Sequence, residues 1–590
     1  MRDDASLRED VTSTEETPLI RSGASSPPQL SARSSRSSEI YRDVGPDLDV
    51  PNQKVGPGRA VAILLSFYML IFLQASNMSG MTMAQSVIAA ELDAYEKASW
   101  FTSSFLIALS SCAPLAGRLA SIFSPRSMVL ASSLLFAIGS LVTSQAHAFW
   151  VFIVGRVITG VGAAAVMVLA IILVLELTTK RRRGLFIGLV NTGVTSGVSL
   201  GAVVFGALIS STGWRALFYA QVPMSVVAGL GVYLSIPKSF TSGQASGEDS
   251  LSKKLKNIDY LGAILLTGTI VLFLYGLSET ITITPLLLSL ATLAIFVLVE
   301  YKVAADPIIP AAILENRGTL LSCIAQLGLM AARWTVLFYT PIAALAVRGF
   351  APAAAGSILV PTNLGFGVGG VLVGLLHVRR AGSFWAACLA SVALFGASLL
   401  ALALASSADP PSPFPLYVLV VFCNGLATGA AINYTLAHVL HLAPAASHYV
   451  ATSLIGTFRG FAGSFGSAIG GGVFTRTLRA RLEDGFRALD GIGDGELLSP
   501  DRRRLVRRLL GSPALVHGGE LGADEREVAV RGYADAVRLL FLSAAALTVV
   551  VLLIQAATGW KGAAEPARDE EQDNEVAASY GAHSSDSERQ

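Results

Sequence analysis

Arg156 stands in an apolar stretch, FIVGRVITGVGAAAVMVLAIILVLEL, that is long enough to cross a lipid bilayer. A guanidinium keeps its proton in proteins, so its burial in hydrocarbon is costly and such a charge usually serves a function. Gly160 and Gly162 follow it, and small residues on one helix face let a neighbouring helix approach closely. The sequence therefore predicts a helix that lines a polar cavity and packs tightly against a neighbour.

Carboxylates that could neutralise Arg156 occur at the ends of neighbouring apolar stretches, as Glu91, Asp93 and Glu96. A purely structural role for Arg156 would be a salt bridge to one of them. Arg156 lies about seven residues inside its helix, roughly 10 Å deep at 1.5 Å per residue. We therefore expect its partner at these helix ends, and a role as a latch or a proton exit rather than as a substrate ligand.

Two more arginines, Arg333 and Arg459, lie in other apolar stretches, and no acidic residue stands clearly at the middle of one. The acidic residues of these stretches fall near predicted helix ends, where capping or interfacial roles are common: Glu176, Asp259, Glu279 and Glu300. A basic solute normally needs an acidic partner in a low-dielectric cavity. Either a carboxylate from a helix end reaches inward, or the solute is not a simple cation.

Polar side chains inside the apolar stretches are the candidates for binding a substrate. Asn77 can donate and accept hydrogen bonds but cannot carry a proton, and Gln74, nearly one turn earlier, shares its helix face. A polar contact between helices is the alternative role for each. The full set of substrate-binding candidates is Gln74, Asn77, Arg333, Tyr339, Asn363, Asn424 and Asn433.

Composition indicates an integral membrane protein. Of 590 residues, 53% are hydrophobic and 14% charged, whereas soluble domains carry about one-quarter charged residues. The net charge of +2 gives no field for nucleic acid. No nucleotide-binding loop, zinc pattern or nucleophile elbow occurs. We expect no catalytic residue, metal or cofactor, and hence no enzyme.

Fourteen apolar runs have the length of a membrane span, which predicts an all-α membrane protein. Lys and Arg are concentrated in the loops after spans 2, 4, 6, 8 and 10, whereas the other short loops hold only Lys97, Arg215 and Arg348. The positive-inside rule then places both termini in the cytosol. The Arg-rich loop 476–535 should lie in a lumen or outside the cell, with DRRRLVRRLL as a membrane-surface helix or a solvated one.

Glycines at three- or four-residue steps mark two of the spans and indicate an internal repeat. Span 5 carries Gly193, Gly197 and Gly201, and span 13 carries a similar series from Gly456 to Gly470. The eight-span separation fits two six-helix halves separated by two inserted helices, a repeat typical of secondary transporters. The predicted units are tail 1–58, half 59–236, loop 237–258, inserted helices 259–302, half 303–560 and tail 561–590.

Three motifs resemble those of the major facilitator superfamily, in its fourteen-span drug:proton antiporter branch. GRVITGVGAAA resembles the conserved segment of span 4, and GVSLGAVVFG resembles the antiporter motif of span 5, with Ala202 where proline is usual. GRLASIFSPR resembles the signature of the loop between spans 2 and 3, but Ser121 replaces an acid that in the family helps to hold the cytosolic gate. The resemblance implies a gating and coupling set of Arg156, Gly160, Gly162, Gly197, Gly201, Gly206, Gly117 and Arg126.

The segments TKRRRGLFIGLVNTG and GWRALFYAQVP look most like fungal vacuolar basic amino acid transporters and their multidrug relatives. The resemblance implies a monomer that exchanges protons for small cationic or amphipathic solutes, such as basic amino acids, across the vacuolar membrane. In EETPLI, Glu15, Leu19 and Ile20 match an acidic dileucine signal read by a sorting adaptor. The alternatives are a plasma-membrane multidrug exporter and a receptor or sensor that kept the fold without transport.

Overall fold

The computed structural model describes residues 57–177, 183–236, 259–277, 281–302, 317–376, 384–407, 412–442, 448–493 and 497–559. Within these ranges the regular structure is helical, and no strand occurs. The predicted loop 237–258, the tail 561–590, nearly all of tail 1–58 and the motif of Glu15, Leu19 and Ile20 lie outside the described residues.

The first half, residues 57–236, consists of five helices: α1 Pro57–Glu91, α2 Trp100–Ile122, α3 Pro125–Ser144, α4 Phe149–Leu177 and α5 Arg183–Ser235. Helix α5 bends at Gly213, whose φ of 74° and ψ of 161° are favourable only for glycine. The bend separates two arms that correspond to predicted spans 5 and 6. These two spans therefore meet at a single residue rather than through a loop.

Two helices follow, α6 Tyr260–Leu277 and α7 Ile283–Lys302, and they pack against each other. The Tyr275 ring of α6 lies 5.9 Å from that of Trp100 on α2, and Phe273 lies 5.7 Å from Phe465, which belongs to the second half. Many of their large apolar side chains are exposed, as on helices that face lipid. The inserted pair therefore lies along the junction of the two halves.

The second half, residues 317–559, contains α8 Arg317–Ala346, α9 Pro352–Ser357, α10 Leu359–Leu376, α11 Trp385–Ala405, α12 Phe414–Leu442, α13 His448–Asp490, α14 Pro500–Gly511 and α15 Ala523–Ala556. In the described part of the chain, twelve helices are long and apolar enough to span a membrane. One of them, Val190–Ser235, holds both arms of the bent α5, and α13 is not among the twelve. The all-helical membrane fold is confirmed, and the count of fourteen spans stays a prediction.

The stretch predicted as a long loop, 476–535, is mostly helical where the structure describes it. Helix α13 continues to Asp490, α14 follows, and α15 begins at Ala523. Ser499 caps α14 by accepting a hydrogen bond from the backbone nitrogen of Arg502 at 3.2 Å. We call residues 476–522, as far as they are described, the cap.

The arginine-rich helix α14 packs on protein with its apolar face. Leu509 is fully buried, and the Tyr533 hydroxyl of α15 donates to its carbonyl. Arg502 lies 2.9 Å from Asp490 at the end of α13, and this hydrogen bond raises the pKa of Arg502 above its usual value. The apolar face of α14 is therefore buried on protein while Arg503, Arg504 and Arg507 are exposed, and the choice between a solvated helix and one at the membrane surface stays a prediction.

Candidate functional site: one buried arginine cluster in each half

Arg156 lies in the core of the first half and is fully buried. Its Nε donates to the Phe101 carbonyl at 2.8 Å, its Nη1 donates to Asn77 Oδ1, and its guanidinium stands over the Phe105 ring at 4.7 Å. Hydrogen bonds to neutral oxygens lower the cost of burying the charge without cancelling it. Arg156 Nη2 has no hydrogen-bond partner among the described residues.

Asn77 connects Arg156 to a third helix. Its Nδ2 donates to Gln221 Oε1 at 2.8 Å, so the contact chain runs from α4 through α1 to the second arm of α5. Gln221 Nε2 also lacks a partner within the described ranges. With Phe101 of α2, the cluster joins four helices of one half, and it keeps two unused donors.

Two of the three expected partners of Arg156 at the helix ends, Glu91 and Glu96, are engaged elsewhere. Glu91 accepts from Trp214 Nε1 at 2.5 Å and forms an ion pair with Arg215. Glu96 lies 3.4 Å from Arg479 of the cap. The expectation of a carboxylate partner was therefore wrong, because the side chain of Arg156 contacts the middle of α1 rather than its end.

Arg333 is the corresponding charge in the second half, with 2% of its surface exposed. Its Nη1 donates to Thr362 Oγ1 and, at 3.2 Å, to Asn424 Oδ1. Its Nη2 donates to the Thr362 carbonyl at 3.2 Å and to Asn363 Oδ1 at 3.3 Å. Among the residues that the structure describes, neither Arg333 nor Arg156 forms an ion pair with a carboxylate.

The two clusters use equivalent helices with the residue types exchanged. In the first half Asn77 lies on the first helix and Arg156 on the fourth. In the second half Arg333 lies on the first span, α8, and Asn424 on the fourth, α12. In each half, therefore, a hydrogen bond between one arginine and one asparagine joins the first spanning helix to the fourth. Such a correspondence is expected for repeats that diverged from a common unit.

Asn363 links the Arg333 cluster to the opposite half. Its Nδ2 donates to Ser199 Oγ at 2.9 Å, and Ser199 donates to the Leu359 carbonyl at 3.2 Å. Ser199 belongs to α5 of the first half, whereas Leu359 and Asn363 belong to α10. The buried Arg333 guanidinium is thus bonded directly to Asn363, the residue that crosses the boundary between the halves.

Close contacts join the halves toward the end of the molecule where α1 ends and α2 begins, which we call the closed end. A Cβ on Gly206 would lie 2.6 Å from the Pro352 carbonyl carbon, and one on Gly356 would lie 2.7 Å from the Ala202 carbonyl oxygen. The hydroxyls of Ser103 and Ser467 are 2.9 Å apart. These distances leave no space for a solute between the halves at this end.

Toward the opposite end of α13 the glycines have more space. A Cβ added to Gly456 or Gly460 would meet no described atom within 4 Å, whereas one added to Gly466 would lie 2.5 Å from the Ala331 carbonyl oxygen of α8 in the same half. Gly367, toward the same end of α10, also has nothing described within 4 Å. In its described part the molecule is therefore closed at one end, and these three glycines toward the other end have no close described neighbour.

Most glycines of the predicted coupling set serve contacts inside the first half. A Cβ on Gly160 would lie 2.5 Å from the Phe105 carbonyl oxygen, and one on Gly162 would lie 2.5 Å from the Phe136 nitrogen. A Cβ on Gly197 or Gly201 would lie 2.7 Å or 2.4 Å from the backbone of α1. Gly206 alone of the span 5 glycines discussed here reaches the second half.

The remaining predicted residues lie apart from the two arginine clusters. Gly117 faces Val168 at 3.7 Å, and the Arg126 guanidinium stands 4.0 Å over the Tyr233 ring, both within the first half. Tyr339 packs on Phe474 with ring centres 4.8 Å apart, and Asn433 donates to the Gly429 carbonyl of its own helix. Gln74 is buried, and its Oε1 has no partner within the described residues.

Sequence reasoning missed Gln221, Thr362 and Ser199. Each is a polar residue in an apolar helix, a signal that many structural serines and threonines of this chain share. Gln221 was recognisable by size, because a buried amide needs partners for several polar atoms. Thr362 contributes a carbonyl as well as a hydroxyl, which no side-chain pattern reveals.

Known proteins resemble the chain along most of its length. An "MFS transporter L2" from Phoma sp. is 26% identical over 526 residues, covering 87% of this chain and 84% of that protein. The "Multidrug resistance protein fnx1" of Schizosaccharomyces pombe is 24% identical and covers 80% and 87%. The "MFS efflux transporter aclA" of Aspergillus oryzae is 25% identical and covers 70% and 75%.

Among solved structures, a bacterial homologue of the human lysosomal transporter Spinster, in an inward-facing and unoccupied conformation, matches with a TM-score of 0.59. It is 13% identical and covers 85% of this chain and 97% of that chain, so the likeness concerns the fold alone. The model of the family "Major Facilitator Superfamily" matches residues 65–467. The chain therefore belongs to the major facilitator superfamily of membrane transporters, as its motifs predicted.

Proposed function

We propose that this protein is a secondary transporter of the drug:proton antiporter branch, which exports a small organic solute by alternating access. The asymmetry of the boundary between the halves carries the proposal. Close contacts such as Gly206 to Pro352 join the halves at the closed end, while Gly456 and Gly460 have open space toward the other end. Such a state exposes the solute pathway to one side only.

The contacts at the closed end suit repeated opening. The pairs Ser103 with Ser467 and Ser110 with Ser464 are neutral hydrogen bonds of 2.9 Å and 3.1 Å. A neutral hydrogen bond contributes about 1 kcal/mol net, so a few of them can break within one transport cycle. Small residues at the same surface let the helices separate and repack without large side-chain rearrangements.

The resemblance to efflux pumps supports an organic solute, and the resemblance to the antiporter branch supports coupling to protons. The vacuolar basic amino acid carrier is the second candidate. The segment TKRRRGLFIGLVNTG and the tail motif at Glu15, Leu19 and Ile20 favour it. A plasma-membrane exporter differs in location only, and a receptor would bind its ligand without moving it.

Flux into proteoliposomes under an imposed pH gradient tests the proposal. We expect an organic dye or a labelled amino acid to accumulate, and a protonophore to abolish the accumulation. Labelled arginine, lysine and histidine in the same assay test the second candidate. Binding without accumulation of any probe would support the receptor and overturn the transporter.

The matched control for the flux assay compares one double-cysteine variant in its oxidised and its reduced state. In a Ser103→Cys/Ser467→Cys variant, a disulfide between two positions whose hydroxyls are 2.9 Å apart holds the closed end shut. Accumulation in the reduced protein and none in the oxidised protein would show that flux passes through the moving halves. Equal flux in both states would mean leak through the liposomes.

A further inference from the structure

Arg333 carries a permanent charge that is buried in the second half, with 2% of its surface exposed. Its acceptors are the oxygens of Thr362, Asn424 and Asn363, all neutral. The bonds to the two asparagines, at 3.2 Å and 3.3 Å, are at or beyond the long end of the usual N–H···O range. An ionised carboxylate forms shorter and stronger bonds to a guanidinium, often through both oxygens.

Arg156 places a second permanent charge in the other half. It too contacts only neutral oxygens, and it retains an unused donor at Nη2. A cationic solute between the halves faces a buried positive charge in the core of each half and, among the described residues, no carboxylate bonded to either. An anionic solute is attracted instead, because each guanidinium stabilises a negative charge in a low-dielectric space.

Asn363 ties this charge to the boundary between the halves. Its oxygen accepts from Arg333 at 3.3 Å while its nitrogen donates to Ser199 of the first half at 2.9 Å. An anion that takes the place of the Asn363 oxygen on Arg333 removes one of the two bonds that hold the amide. The amide is then free to turn, and the bond to Ser199 weakens.

We propose that the transported solute is an organic anion with a carboxylate or a similarly compact anionic group, that Arg333 binds this group, and that binding releases Asn363 from Ser199. The proposal rests on the proposed transport function and narrows its substrate class. It disfavours a basic amino acid, because such a solute brings two positive groups with its one carboxylate and finds only neutral oxygens in either cluster. Arg333 acts as the binding residue and Asn363 as the positioning residue that connects it to the boundary.

Two xanthene dyes of similar size and opposite charge test the charge preference in proteoliposomes. We expect carboxyfluorescein to accumulate at least about tenfold more than rhodamine 123, which corresponds to about 1.4 kcal/mol of discrimination. Accumulation of rhodamine 123 with little carboxyfluorescein overturns the anion proposal and leaves the transporter intact. If neither dye enters above protein-free liposomes, the proposed export function itself fails.

Competition with the wild-type protein avoids any folding defect of a variant. Benzoate, benzylamine and benzyl alcohol share a ring and differ in charge, and each is added to the dye assay at the same concentration. We expect benzoate alone to inhibit. Inhibition by benzylamine and not by benzoate overturns the proposal.

Substitution of Arg333 separates charge from geometry. Arg333→Lys should raise the KM for the anionic dye about tenfold with a smaller change in maximal rate, and Arg333→Gln should remove the charge preference. Arg348→Gln is the matched control, because Arg348 is an arginine of the same half that binds Ser412 and not the cluster. A charge preference that persists in Arg333→Gln and disappears in Arg348→Gln contradicts the assignment.

The link to Asn363 has its own measurement. Benzoate should slow disulfide formation in the Ser103→Cys/Ser467→Cys variant severalfold, because loss of the Ser199 contact loosens the boundary. Benzylamine should leave the rate unchanged, and in Asn363→Ala benzoate should no longer act. Equal rates with benzoate and benzylamine would overturn the coupling through Asn363.

Discussion

Asn77 and Gln221 hold each other in a fixed orientation, with Asn77 Nδ2 2.8 Å from Gln221 Oε1. Because the nitrogen of Asn77 is used in this way, its oxygen must face Arg156, and the structure shows that contact. Position 77 therefore controls how the Arg156 charge is compensated.

Asn77→Asp should raise the melting temperature of the purified protein, because it supplies a counter-charge to a guanidinium that is already buried. Asn77→Leu should lower the stability by about 2 kcal/mol or more, since it leaves buried donors and acceptors unpaired. Thermal melts followed by intrinsic fluorescence measure both. Asn433→Leu is the control, because Asn433 bonds only within its own helix in the described contacts, and should cost less. If the Asp variant melted below wild type, the geometry at position 77 would be wrong.

Gly206→Ala should disturb the closed end, because the new Cβ would lie 2.6 Å from the Pro352 backbone, which cannot move aside as a flexible side chain does. Introduced into the Ser103→Cys/Ser467→Cys protein, it should slow disulfide formation by about tenfold, equivalent to a shift of about 1.4 kcal/mol toward the separated state. Gly456→Ala adds the same methyl group where no described atom lies within 4 Å, and should leave the rate unchanged. Equal rates in the two variants would refute the role of Gly206.

The disulfide itself should block transport. Ser103 and Ser467 belong to different halves, and their hydroxyls are 2.9 Å apart. Oxidation should abolish dye accumulation and reduction should restore it, with Ser103→Cys alone as the control. The test is made in a background with Cys112 and Cys423, neither of which is buried, replaced by alanine. An oxidised protein that still transports would exclude rocking at this boundary.

The cap should be sensitive to one glycine. A Cβ on Gly511 would lie 2.5 Å from the Tyr95 Cα, where α14 meets the segment that joins α1 to α2. Gly511→Ala should therefore loosen the cap and speed tryptic cleavage of the arginine-rich α14 severalfold. Gly493→Ala, with no described atom within 4 Å, is the control and should be cleaved as wild type is. Identical cleavage of both variants would show that the cap does not depend on this contact.

The tail motif predicts where the protein resides. Leu19→Ala/Ile20→Ala should move a tagged copy from the vacuolar membrane to the cell surface, and microscopy with membrane markers measures the shift. Ser34→Ala/Ser35→Ala, in the same tail and outside the motif, is the control. If the variant stayed at the vacuolar membrane, the motif would not be the sorting signal. If the wild-type protein were found at the cell surface, the plasma-membrane exporter would be supported.

Hydropathy and small-residue spacing predicted the membrane helices and their close packing, because both depend on local sequence. The apolar stretch around Arg156 is a helix, and the glycines after it do meet a neighbouring backbone. The family was identified from three motifs in the first half, and the family model confirms it. Apolar run length, small-residue spacing and short motifs all depend on residues close together in the chain, so a single sequence reveals them.

The partners of the buried charges could not be predicted. Arg156 contacts Asn77, 79 positions earlier, and the choice of an amide over the nearby carboxylates depends on helix rotation. The cap was missed for a different reason, since the sequence of the arginine-rich stretch 500–511 does not show that its apolar face is buried on protein. Tertiary arrangement, and not composition, decides both cases.

Both ends of the cap belong to the second half, where α13 enters it and α15 leaves it. Within the cap, His517 Nε2 lies 3.0 Å from the Ala346 carbonyl, another tie to that half. The described contacts to the first half are fewer and include Glu96, 3.4 Å from Arg479 and 3.8 Å from Arg507. The cap should therefore move together with the second half. An antibody fragment bound between the cap and Glu96 would favour the state of the transport cycle in which the two halves are apart at this end.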